Sequence, residues 1–225
     1  MMRDFKAILF DCDGVLLDSE PLGCESLARA VSAAGRPMTT VEAASVFSGN
    51  SVQASLAWIA GEGLDPEQVV ASADEILFAM FDMDIPHIPG VEAVLRGFDL
   101  PMAVCSNSSI NRLEQSLART PLAAHFGPHI YSAEQVARGK PAPDLVYFAA
   151  EKLRVAPAEA IFIDDNPHGV KAAEAAGCLA VGFVGPSDHR AGHAEVLRAA
   201  GADHVVSGMA AFHELLTRLS VPVAA

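Results

Sequence analysis

Four short apolar runs punctuate the chain at wide intervals: Lys6-Ala7-Ile8-Leu9-Phe10, Met102-Ala103-Val104-Cys105, Ala160-Ile161-Phe162-Ile163 and Leu179-Ala180-Val181-Gly182-Phe183. None alternates apolar with polar residues, so each reads as a strand covered on both faces. The sequence between them has helical spacing. Strands alternating with helices predict an α/β fold, a parallel sheet flanked by helices, and ligands on such sheets bind beyond the carboxyl ends of the strands. Polar residues stand at those ends: Asp11-Cys12-Asp13-Gly14 after the first run, Ser106-Asn107 after the second and Asp164-Asp165 after the third.

Asn166-Pro167-His168-Gly169, followed by Val170, Ala173 and Ala176 and then Gly177, reads as a helix with a capping Asn, a proline in its first turn, an apolar stripe and a glycine stop. Its N-terminus points toward the same strand ends. From about Glu20 to Asp84 the texture changes: helix-like patterns at Leu22 to Ala34 and Pro66 to Phe81 occur without a comparable apolar strand. This is read as an inserted all-helical unit spanning residues 17–87, with residues 1–16 and 88–225 forming the principal unit. Ile85-Pro86-His87-Ile88-Pro89-Gly90 is the return linker, because two prolines and a glycine favour extended backbone. Trp58, Phe78 and Phe81 fall at helical spacing and are assigned to the core of the insertion.

Composition narrows the partners. With 51% hydrophobic and 19% charged residues, the chain is not disordered on compositional grounds. The net charge of −13, with no run of Lys and Arg, argues against a nucleic-acid or membrane partner. A small phosphorylated metabolite stays compatible, because a bound cation and a well-placed Lys reverse the potential of one pocket. The four cysteines, Cys12, Cys24, Cys105 and Cys178, show no C-x-x-C pair and are read as reduced and buried. The N-terminal apolar run is too short and too acidic in its surroundings for a signal peptide or a membrane span, so a cytoplasmic location is expected. The oligomeric state is left open.

Two aspartates two positions apart at a strand end can divide labour, one as nucleophile and the other as proton donor. Alone, Asp11-Cys12-Asp13-Gly14 also describes a turn. Asp164-Asp165 is more pointed, since adjacent like charges are costly unless a cation compensates, and Asp11 with these carboxylates would suit Mg²⁺. Ser106-Asn107-Ser108 offers donors for phosphoryl oxygens, as do ordinary loops and helix caps. Lys140, fixed within Arg138-Gly139-Lys140-Pro141-Ala142-Pro143-Asp144, is a candidate to aim one ammonium into a pocket. His125, His129, His168, His189, His193 and His204 lack ligand spacing and are assigned to surface or loops, with His168 singled out for its nearness to Asn166.

Taken in order, Asp11-x-Asp13-Gly14-x-Leu16-x-Asp18-Ser19-Glu20, Ser106-Asn107, Lys140-Pro141-x-Pro143-Asp144 and Asp164-Asp165-Asn166 resemble the haloacid dehalogenase superfamily, in the branch containing β-phosphoglucomutase and small sugar-phosphate phosphatases. The resemblance implies a Rossmann-like core with a helical cap inserted after the first motif. It implies Asp11 as nucleophile forming an aspartyl phosphate and Asp13 as general acid and base. It further implies Mg²⁺ held by the Asp11 carboxylate, the Asp13 main-chain carbonyl and Asp165, supported by Asp164, with Ser106, Lys140 and nearby Asn107 at the phosphate. Asp13 favours phosphate esters over the family's other chemistries, since an alcohol leaving group needs an acid there. Mutases of this branch carry a cap motif resembling K-G-x-x-R. The corresponding turn here, Phe47-Ser48-Gly49-Asn50-Ser51-Val52, has Ser48 and Val52 at the basic positions. The expectation is therefore a phosphatase acting on a small sugar or sugar-acid phosphate. A phosphomutase and a non-catalytic phosphometabolite-binding protein are the alternatives.

Overall fold

A computed structural model describes residues 4–48, 50, 52–188 and 190–224. Six strands form one parallel sheet: β1 Ala7–Phe10, β2 Met102–Ser106, β3 Ile130–Ser132, β4 Ala160–Asp164, β5 Leu179–Val184 and β6 His204–Ser207, in the order β3-β2-β1-β4-β5-β6. This is the doubly wound, Rossmann-like order, with the first strand in sequence at the centre and the chain turning outward on either side of it. The four apolar runs are the four inner strands. The edge strands β3 and β6 escape a reading by apolar runs because β3 is three residues long and β6 is flanked by the exposed His204 and Ser207.

The chain falls into two compact units, one made of residues up to Asp18 together with those from Pro86 onward, the other of residues 19–85. The junction is held within the first unit: Asp18 N donates to Pro86 O at 2.8 Å, Ile88 N donates to Leu16 O at 3.0 Å, and Leu17 bridges His87 in antiparallel fashion. The outgoing and returning segments thus run side by side.

The second unit contains helices α1 Glu20–Ala33, α2 Thr40–Phe47, α3 Val52–Gly61 and α4 Pro66–Phe81. Thr39 and Glu42 form a capping box at the start of α2, and Asp65 caps α4 ahead of its first-turn proline. Cys24, Ala28 and Val31 of α1 pack with Ala43 and Phe47 of α2, Ile59 of α3 and Val69 and Ala73 of α4. Trp58 meets Phe47 edge-on at 5.2 Å, and Phe81 is buried, as residues in a helical core should be. In the turn read against the mutase motif, Ser48 Oγ lies 3.5 Å from Cys24 Sγ. Gly49, Ser51 and the Val52 side chain lie outside the described residues, as does His189.

In the first unit, α5 Val91–Gly97, α6 Ile110–Ala118, α7 Asp144–Leu153, α8 Pro167–Ala176, α9 His193–Ala199 and α10 Gly208–Arg218 surround the sheet. Side chains alternate across β1. Ala7 and Leu9 join Phe162 and Ala180 against Leu145, Val146 and Ala149 of α7, Val170 and Ala173 of α8 and Leu197 of α9. Phe10 points to the other side, edge-on to Phe126 at 5.9 Å and to Phe212 of α10 at 6.1 Å. Covering both faces explains why β1, β2 and β4 are buried at every position. The boundaries of α8 follow its sequence: Asn166 Oδ1 accepts from His168 N at 2.9 Å, and Gly177 ends the helix at φ +83°. All four cysteines are free and buried, and no helix among the described residues is long and apolar enough to cross a membrane.

Phe10 sits one residue before Asp11 and supports both the core and the strand end. Phe10→Ala is expected to lower unfolding free energy by about 3–5 kcal/mol, the usual cost of emptying a buried aromatic site, as measured by urea denaturation.

Candidate active site

The carboxyl ends of β1, β2 and β4 meet at one place. The β1 ladder continues through Asp11, whose N donates to Ile163 O at 2.9 Å, so the Asp11 side chain is delivered from the sheet rather than from a free loop. The chain then folds back at once. Leu16 N and Leu17 N both donate to Cys12 O, Gly14 N donates to Leu17 O at 2.8 Å, and Gly14 takes φ +79°. A Cβ on Gly14 would stand 2.7 Å from the Asp165 carboxylate, so this glycine answers both to a left-handed backbone and to close approach.

Lys140, on the loop before α7, enters from the side and is buried. Its Nζ donates to Asp11 Oδ1 at 2.8 Å, to Asp164 Oδ2 at 2.7 Å and to Cys105 O at 3.1 Å, which uses the three protons of an ammonium, and it lies 5.5 Å from the centre of the Phe162 ring. Burial opposes its charge, but the Asp11 and Asp164 carboxylates outweigh burial and raise its pKa. Asn107 holds the Lys140 main chain reciprocally: Nδ2 donates to Lys140 O at 2.9 Å and Lys140 N donates to Oδ1 at 2.9 Å. The sequence brought Asn107 near the phosphate; its amide is engaged in bracing the lysine.

Asp164 is 1% exposed and Asp165 follows it at the end of β4. Asp164 Oδ1 accepts from Asn166 N at 2.8 Å, and α8 passes so close that a Cβ on Gly169 would fall 1.7 Å from Asp164 Oδ2. Asp11, Asp164 and Asp165 bring carboxylate oxygens within 4.8 Å of one another. Burial, then Asp164, pushes the Asp11 pKa up to about 7 against the pull of Lys140. Burial, then Asp164 and Asp11, likewise holds Asp165 well above the usual carboxylate range despite Arg190. Hard oxygen donors crowded in this way, short of positive charge, fit a divalent cation.

Asp13 stands apart from this cluster, half-buried. Its Oδ2 accepts from Ser108 Oγ at 3.0 Å and lies 3.8 Å from an Arg112 guanidinium nitrogen. Ser108 is itself held, its N–H donating to the buried Ser106 Oγ at 3.1 Å and its carbonyl accepting from Ser132 Oγ at 2.7 Å. Cys12, between the two aspartates, is kept as a thiol: burial first, then the flanking carboxylates, raises its pKa. His168 contributes its backbone N–H to the α8 cap, and among the described residues its ring makes no hydrogen bond to the carboxylates.

Three further residues adjoin the cluster and were not picked out by spacing. Arg190 donates to Asp165 Oδ2 at 3.1 Å and to Asp188, and His193 Nε2 donates to the Asp165 carbonyl at 2.7 Å. His193 was assigned to the surface or a loop. It is 5% exposed, because the loop after β5 folds onto Asp165 and carries the ring inward. The available signal was positional: β5 ends on the same side of the sheet as β1, β2 and β4.

A family model for haloacid dehalogenase-like hydrolases matches residues 5–177. The chain belongs to this family. It is similar to a 6-phosphogluconate phosphatase of Escherichia coli, 26% identical over 179 residues and covering 78% of this chain and 81% of the relative. It is also similar to a phosphoglycolate phosphatase of Photobacterium profundum, 30% identical over 191 residues and covering 80% and 83%. Among solved structures, a haloacid dehalogenase family hydrolase of Deinococcus radiodurans, with bound phosphate and sodium, superposes with a TM-score of 0.80 at 30% identity, covering 99% of this chain and all of that one. The expectation of a phosphatase of this family, on a Rossmann-like core, is borne out.

Two outcomes follow from the packing and charge of the cluster. Gly169→Ala, which in an open helix would be neutral or stabilising, is expected to destabilise by about 1–3 kcal/mol through overpacking against Asp164, read by urea denaturation. Because burial and Asp164 raise the Asp11 pKa to about 7, a divalent cation held by this carboxylate competes with its proton. The affinity for such a cation is therefore expected to fall by about tenfold per pH unit below 7 for each proton displaced. Calorimetry in buffers of different ionisation enthalpy checks this by counting released protons.

Proposed function

We propose that the protein is a Mg²⁺-dependent phosphatase that hydrolyses a small sugar or sugar-acid phosphate through an aspartyl phosphate on Asp11. The observation that carries this reading is the buried set of Asp11, Lys140 and Asp164 with the half-buried Asp165 beside it, and Asp13 close in sequence yet outside the ion pairs of Lys140. Two carboxylates in such different surroundings suit opposite tasks.

In the first half-reaction an Asp11 carboxylate oxygen bonds to phosphorus as the bond from phosphorus to the ester oxygen breaks, and Asp13 gives its proton to the departing alkoxide. In the second, Asp13 takes a proton from water, the water oxygen bonds to phosphorus, and the bond to Asp11 breaks, releasing inorganic phosphate and restoring the Asp11 carboxylate and the protonated Asp13. Ser106 holds a phosphoryl oxygen, Lys140 gives up one of its three hydrogen bonds to hold another, and Asn107 keeps the Lys140 main chain in place. Ser108 and Arg112 orient the Asp13 carboxyl. The Asp11 carboxylate, the Asp13 main-chain carbonyl and Asp165 would hold Mg²⁺, with Asp164 beside them. The ion supplies positive charge where two anions, nucleophile and phosphate, must approach. The substrate class is supported by relatives named for 6-phosphogluconate and hexitols. The inserted helical unit is assigned as the cap that selects among such substrates.

Asp11→Asn preserves shape and removes the nucleophile. It is expected to lower Mg²⁺-dependent phosphate release by at least about a thousandfold, with an unchanged circular dichroism spectrum. Turnover at the wild-type rate would refute the mechanism. The same phosphate-release assay on a panel of phosphorylated sugars, sugar acids and nucleotides identifies the substrate. Interconversion of two sugar phosphates without phosphate release would replace hydrolysis by phosphomutase chemistry.

A further inference from the structure

The loop leaving β5 lies against both halves of the candidate site. Gly185 approaches the turn after β1 so closely that a Cβ there would be 3.3 Å from Gly14 O, and Ser187 Oγ donates to Asp18 Oδ2 at 2.6 Å. Three side chains of this loop and of the first residue of α9 then form one connected set. Asp188, whose side chain is 4% exposed, accepts from Arg190 N at 2.9 Å, from Arg190 Nε at 2.8 Å and from a terminal guanidinium nitrogen at 3.0 Å. That same terminal nitrogen reaches Asp165 Oδ2 at 3.1 Å. His193 Nε2 donates to the Asp165 carbonyl at 2.7 Å and stands 3.6 Å from Asp188 Oδ2.

We propose that Asp188, Arg190 and His193 are positioning residues that fix the Asp165 carboxylate for a divalent cation. Both ends of Asp165 are gripped, the main-chain carbonyl by an imidazole and the carboxylate by a guanidinium. Arg190 is in turn held by Asp188 through both its Nε and its terminal nitrogen, which fixes a side chain that would otherwise have several rotamers to explore. Charge points the same way. Arg190 is paired with Asp188, so the guanidinium brings its own counter-charge to the cluster of Asp11, Asp164 and Asp165. Arg190 thus sets geometry without cancelling the charge that draws the ion in. Partners of this kind, bonded to a ligand rather than to the metal, govern metal affinity.

The inference rests on Asp165 being a metal ligand, so Asp165→Asn serves as the control. Metal-stripped proteins are titrated with Mg²⁺, binding being read by calorimetry and by the rise in melting temperature, alongside the KM for Mg²⁺ in phosphate release. Arg190→Ala is expected to weaken Mg²⁺ binding by about 10- to 100-fold, to raise the KM for Mg²⁺ more than it lowers kcat, and to be partly rescued by Arg190→Lys. Asp188→Asn and His193→Gln are expected to shift the affinity in the same direction by less, and they carry the test if Arg190→Ala does not fold. Wild-type or tighter Mg²⁺ binding in the folded Arg190, Asp188 and His193 variants overturns the proposal. If Asp165→Asn also binds Mg²⁺ normally, the ligand assignment itself has failed. If Asp165→Asn alone loses binding, only the positioning role has failed.

Discussion

One ammonium group, Lys140 Nζ, is shared between the carboxylates of Asp11 and Asp164, which arrive from the ends of two neighbouring strands. Two buried aspartates and a half-buried third in so small a volume repel one another, and each would be costly to desolvate alone. The lysine offsets part of that repulsion, and its three hydrogen bonds tie β1, β2 and β4 together at their carboxyl ends. Removing one member of such a buried set commonly costs about 3–5 kcal/mol, because the remaining charges are left uncompensated. Even so the lysine does not complete the charge balance. Burial first, and then the neighbouring carboxylates, still hold the pKa values of Asp11 and Asp165 up, and such a cluster is one that could hold a cation.

The surroundings are built to hold the aspartates still. Gly14 and Gly169 are places where main chain comes up against a carboxylate with no room for a methyl group. Asn107 pins the Lys140 backbone, Ser108 links Asp13 to Ser106 and Ser132, and the loop after β5 grips Asp165. Each of these side chains therefore has a second residue that sets its direction. Most of those partners come from a different strand end than the residue they hold. Precision here is a property of the converging sheet ends as a group.

Much of this was legible from the chain because the physics is local. Inner strands are buried on both faces, so Ala7–Phe10, Met102–Ser106, Ala160–Asp164 and Leu179–Val184 announce themselves as apolar runs, whereas the short or half-exposed edges Ile130–Ser132 and His204–Ser207 do not. The α8 helix carries its cap, proline and stop within its own short stretch of sequence and is read correctly at both ends. Asp11, Asp13, Ser106, Lys140, Asp164 and Asp165 stood out because each follows an apolar strand or lies in a rigid turn. What could not be read were pairings at long range. The burial of Lys140 depends on carboxylates 129 and 24 residues away. The inward turn of His193 depends on Asp165, 28 residues earlier. Neither Arg112 nor Arg190 has a neighbour in sequence that reveals its target.

The side-by-side run of residues 16–18 and 86–88 has a consequence of another kind. Because the departing and returning chain are hydrogen-bonded to each other, the sheet sees the whole excursion as one closed point on its border. Whatever is strung between residues 18 and 86 is a guest whose length and shape leave strand registers undisturbed. A change of length or sequence within the excursion thus meets the sheet only at this seam, which lies in the chain five residues beyond Asp11 and no nearer.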